Sequence, residues 1–116
     1  MPGAIIFGTN YDPATLAIIG RTSTIHRGEQ IAWRADLSQP AGSTTLTFTI
    51  TQPNPNGPEF PHWQQDFSVP DASFVVIVNR VDLSVYVHGE PGTFIMRIRR
   101  GADGPILAQG QFSLLP

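Results

Sequence analysis

His26, His62 and His88 are the three histidines of the chain, and no two lie within ten residues of each other. Metal sites in small β folds gather neutral imidazoles in close pairs such as His-x-His and complete the set with a carboxylate. His88-Gly89-Glu90 supplies two ligands at best, and His62 joins them only if loops at one end of the molecule converge. The plainer reading is three separate surface histidines, so no metal is expected. Glycoside chemistry needs two carboxyl groups about 5–9 Å apart in a deep cleft. Asp66 with Asp71, or Glu59 with Glu90, are the available pairs, and a chain this short rarely builds such a cleft. The glycine patterns of nucleotide sites, the Gly-x-Ser-x-Gly elbow and His-Glu-x-x-His are all missing. There is no cysteine, hence no thiol nucleophile, thiolate site or disulfide. The expectation is a protein that is not an enzyme and carries no cofactor.

Two clusters remain that suit binding. Phe60-Pro61-His62-Trp63 follows the proline-rich stretch 53–58, and aromatic side chains beside a loop give large contact area for little lost entropy. Against this, Trp63, Phe67 and Val69 fall on one face of a strand, where they would cap the core. The second cluster is Arg97, Arg99 and Arg100. All seven cations are arginine and none is lysine, which reads most simply as compositional habit. Clustered guanidinium groups can clamp carboxylates, or pair with Asp36 and Asp103, or merely keep a strand solvated. Phe60, His62, Trp63, Arg97 and Arg99 are therefore the candidate partner-binding residues.

The elements that must position these residues are strands. Eleven glycines and eleven prolines punctuate short runs rich in Thr, Ile, Val and Phe, and no dozen residues repeat at helical spacing. The expected strands begin with Ala4–Gly8 and a second one, Leu16–Ile19 with Thr22–Ile25, interrupted at Gly20. Glu29–Leu37 turns Ile31, Trp33, Ala35 and Leu37 inward, and Ser43–Gln52 does the same with Leu46, Phe48 and Ile50. The Pro40-Ala41-Gly42 turn joins them. His62–Val69 lies between Pro61 and Pro70 and reads as an edge strand. The unbroken apolar run Phe74–Val78 reads as a central strand buried on both faces. Leu83, Val85 and Val87 alternate and suit a short strand or crossover. The clearest signal is a hairpin: Gly92–Arg100, the Asp-Gly turn 102–105, and Ile106–Leu114, with Gly110 marking a bulge or a close neighbour. The expected core is Trp33, Leu46, Phe48, Ile50, Val76, Phe94, Met96, Ile98 and Phe112.

The strand pattern, Trp33 in an early core strand, and the closing segments Pro91–Arg97 and Ala108–Leu114 resemble a bacterial immunoglobulin-like domain. The resemblance implies an all-β, immunoglobulin-like β-sandwich of two antiparallel sheets with about 7–9 strands, spanning residues 1–116 as a single domain. It lacks the cysteine pair, and Phe94 stands where a tyrosine corner would want a phenol. Such a fold carries no function with it.

Charge narrows the partners. A net charge of −2 with 14% charged residues gives no basic field for nucleic acid. No stretch approaches the ~20 apolar residues of a membrane span, and the first residues lack the run of a signal peptide. The expected setting is either the cytoplasm or a domain excised from a larger secreted, surface or particle protein. The expected role is a non-catalytic binding or assembly module, with a protein partner or self-association through the apolar ends Ile5-Ile6-Phe7 and Leu114-Leu115-Pro116. The alternatives are an inhibitor or chaperone-like binder acting through the loop 53–61, and a carbohydrate-binding module.

Overall fold

The computed structural model describes residues 3–88, 90–101 and 103–115. Its strands are β1 (Gly3–Tyr11), β2 (Ile18–Arg21), β3 (Thr24–His26), β4 (Ile31–Asp36), β5 (Thr45–Gln52), β6 (Phe60–Ser68), β7 (Val76–Val81), β8 (Gly92–Arg99) and β9 (Ile106–Leu115). A 3-10 helix, Leu83–Val87, follows β7. The chain is all-β, as its punctuation and alternation indicate.

Hydrogen-bonded neighbours run β6-β5-β8-β9-β1-β4-β7, with β2 added to β1 and β3 added to β9. Strand β1 is the pivot. Its first residues, Gly3 and Ala4, pair in parallel with Ala108 and Gln109, and from Ile5 onward it pairs antiparallel with β4. The path is thereby continuous and curls round one apolar core. The expectation of antiparallel sheets throughout is corrected here, because β3 also runs parallel to β9. Sequence alternation sets which face is buried but carries no information on strand direction.

Alternation places the core. Phe94, Met96 and Ile98 of β8 and Leu46 and Ile50 of β5 are buried, with Phe48 close behind. Trp33 is 6% exposed and Phe112 is fully buried between the rings of Phe7 and Phe94. Each such side chain contributes about 1.5–3 kcal/mol of burial free energy. Gly110 sits opposite Met96, and a Cβ there would overlap the Ile5 carbonyl oxygen. It marks the close approach of β1, as its position in mid-strand suggests.

Several expectations change. The run Phe74–Val78 is not central: β7 ends the strand path, Phe74 and Val75 are 40% and 48% exposed, and Val76 is half-buried. Its first residues instead bond the turn that follows β4, through Leu37 N to Val75 O and Ala41 N to Phe74 O. Leu83–Val87 is helical because the Asp82 carboxylate accepts the Ser84 N–H and fixes the first turn. The interrupted second strand is two strands with different partners. Gly20 lies within β2, where it adopts φ +63.

The chain ends are not free docking strands. β1 and β9 lie in the middle of the path, and Ile5, Phe7 and Leu114 are buried. Of those ends, Pro116 lies outside the described residues, as does Ala102 of the expected turn. The turn between β8 and β9 closes through Arg100 N to Pro105 O and Gly104 N to Gly101 O.

Candidate functional site

The free side of β5, β6 and β8 carries the polar residues that alternation leaves behind. Register aligns them in rows. Asp66, Thr47 and Arg99 form one row, and Gln64, Thr49, Arg97 and Gln109 form the next. Thr47 is 1% exposed, and its hydroxyl donates to Asp66 at 2.7 Å. An open groove of about 600 Å³ lies on this face, bordered by Thr49, Glu59, Arg97, Arg99 and Asp103.

Arg97 organises the groove. Its two terminal nitrogens donate to the two carboxylate oxygens of Glu59 at 2.6 and 3.0 Å, and its Nε donates to Gln109. Thr51 completes the cluster by donating to Glu59 at 2.8 Å. The Arg97 hydrogen bonds hold the Glu59 carboxyl below its ordinary range. Glu59 is the residue that ends the 53–58 loop and enters β6, so the ion pair ties the loop exit to β8.

The three clustered arginines have three different surroundings. Arg97 holds Glu59, not Asp36 or Asp103. Arg100 donates to the carbonyls of Pro40 and Ala41 and so fastens that turn. Arg99 borders the groove with no hydrogen-bonded or ion-pair partner among the described residues. Asp36 is taken by Arg34, at 3.0 Å on β4.

A bulge in β6 divides the aromatic cluster from the arginines. Trp63 stands opposite Ile50 but Pro61 stands opposite Thr51, which leaves His62 unopposed. The His62 ring lies edge-on to Phe94 at 5.1 Å, and its Nε2 meets Gln52 Oε1 at 3.1 Å. Phe60 packs on His62 at 5.2 Å and is 61% exposed. Trp63 packs on Tyr86 and against the core. Arg97, Arg99, His62 and Trp63 thus border one groove, while the rings of His62 and Trp63 turn to the core side and Phe60 stands at the corner. Trp63 and Phe67 both pack against the core, and Val69 is buried.

Glu59 is the residue of this groove that sequence reasoning missed. It was weighable as half of a catalytic pair, but its partner Arg97 becomes visible only once β5 is known to lie between β6 and β8. Among the described residues no three His, Asp or Glu side chains form a metal-binding group, and no helix is long and apolar enough to cross a membrane.

No protein-family model matches the sequence, and no curated protein matches it. Among solved structures, the crystal structure of an immunoglobulin-like protein from Pseudomonas aeruginosa superposes with a TM-score of 0.59. It is 18% identical, and the match covers 99% of this chain and 94% of that one. At this identity the likeness is one of fold, and the chain has an immunoglobulin-like fold.

Proposed function

We propose that the chain is a non-catalytic binding domain that engages a protein partner with the loop 53–58 and Phe60. The observation that carries this reading is the fastening of the loop by Glu59, between Arg97 and Thr51. Every residue from Pro53 to Phe60 is exposed, yet the loop is locally ordered. Asn54 accepts the Asn56 N–H through its side chain and the Gly57 N–H through its carbonyl. Three prolines restrict the stretch further. A loop ordered before contact loses less entropy on binding. Phe60 supplies the exposed aromatic anchor such contacts use.

The test compares three proteins by chemical cross-linking and affinity capture from the source cells: wild type, a variant with 53–58 replaced by a Gly-Ser turn, and Phe60→Ser. Thermal melting runs alongside. The reading expects both variants to melt near wild type and to lose the partner that wild type captures. Undiminished capture by both would sink it.

A second reading, self-association, is favoured by the position of β6 and β7 at the ends of the strand path. Pro61 and the bulge blunt β6, which leaves β7 as the open end of that path. Light scattering over a wide concentration range decides it: a discrete oligomer supports it, and a monomer throughout removes it.

A further inference from the structure

The free edges β6 and β7 flank a second cavity, of about 470 Å³, on the side of the molecule where the curled path fails to close. Its walls include Trp33, Phe48, Phe67 and Phe74, and its volume falls within the usual ~300–1,000 Å³ of small-molecule sites. Two features specify an occupant. Among the described residues the lining holds no charged acid or base: its ionisable members are Tyr11 and Tyr86, and burial pushes the Tyr86 phenol up. The second feature is Trp33. The residue is 6% exposed, yet its indole N–H has no hydrogen-bond partner among the described residues. Among the described residues no wholly enclosed side-chain polar atom goes unpaired, and the Trp33 side chain borders this cavity. An indole N–H in apolar surroundings calls for an acceptor.

We propose that the cavity between β6 and β7 binds a neutral, largely apolar small molecule that presents a hydrogen-bond acceptor to the Trp33 indole. Uncharged walls disfavour an ionic ligand, which would lose its hydration with nothing to replace it. Aromatic walls receive a flat apolar body, and a hydrogen bond from the Trp33 indole sets its orientation. The site is separate from the loop 53–58 and stands or falls independently of the binding surface proposed there.

Nile red is a suitable probe, being neutral, apolar and equipped with a carbonyl acceptor. The chain has two tryptophans, so a proton–nitrogen correlation spectrum shows two indole signals. Titration should shift the Trp33 indole signal saturably, with dye emission rising in step. Trp33→Phe should weaken binding about fivefold, the worth of one hydrogen bond. Asn79→Phe should abolish binding without loss of the fold, because Asn79 is exposed and stands opposite Trp33 in the β4–β7 register. An unmoved Trp33 signal, or equal affinity in Asn79→Phe, overturns the proposal. So does an extended apolar peptide that protects the β6 or β7 amides where Nile red does not bind, which would assign the seam to an added strand.

Discussion

Glu59 and Arg97 are 38 residues apart in sequence and meet in a two-pronged ion pair of 2.6 and 3.0 Å. The pair joins the base of an exposed loop to a strand two places away across the sheet. Its consequence is local order more than global stability. Exposed pairs contribute about 0–1 kcal/mol, and Glu59 is 36% exposed. Glu59→Gln should therefore lower stability by less than about 1 kcal/mol. Amide hydrogen exchange in residues 54–57 should nevertheless quicken. Unchanged exchange in that loop would show that its prolines alone hold it.

The same pair sets a pH dependence. Arg97 holds the folded-state Glu59 carboxyl below its ordinary value of 4.5. A lowered folded value means that the contribution is complete above the unfolded value and is lost as pH falls through the folded one. Loop protection should hold at pH 6 and decline below about 4.5, with Glu59→Gln showing no such decline. Hydrogen exchange at several pH values, corrected for intrinsic rates, checks this.

Trp33 is a core residue with a role in shape. Trp33→Ala should cost about 3–5 kcal/mol, as large aromatic truncations do, measured by urea denaturation. A cost below roughly 1 kcal/mol would mean that the inward face of β4 is misassigned.

Gly110→Ala tests the passage of β1 over β9. The added carbon would meet the Ile5 carbonyl, which is backbone and cannot swing aside. Overpacking of side chains costs about 1–3 kcal/mol, and a backbone obstacle belongs at the upper end or beyond. A thermal melt within a degree or two of wild type would refute the close approach.

Much of this fold is legible in the sequence because it rests on period-two alternation. Phe94, Met96 and Ile98, and Leu46, Phe48 and Ile50, announce both their strands and their buried faces. Trp33 is equally plain, and Gly110 signals its neighbour by the absence of a side chain. What alternation cannot convey is adjacency. Phe74–Val78 reads as central because an apolar run looks the same at an edge that leans on a turn. Leu83, Val85 and Val87 alternate like a strand until the Asp82 cap is weighed. The candidate site shares this limit. Its arginines are visible as a cluster, but their separate partners depend on which strands are neighbours, and the β6 bulge that turns His62 away leaves no mark beyond Pro61.

The parallel pairing of Gly3 with Ala108 has a further consequence for how the chain reaches its structure. Hairpins such as β5–β6 and β8–β9 can form from nearby residues, at small cost in loop entropy. The β1–β9 contact closes nearly the whole chain, and such distant contacts slow folding. Strand β9 contributes Leu107, Ala108, Phe112 and Leu114 to the core and bonds to β8, β1 and β3. During synthesis the chain therefore cannot complete its core until residues 106–115 leave the ribosome, and until then β1, β3 and β8 each present an unpaired edge.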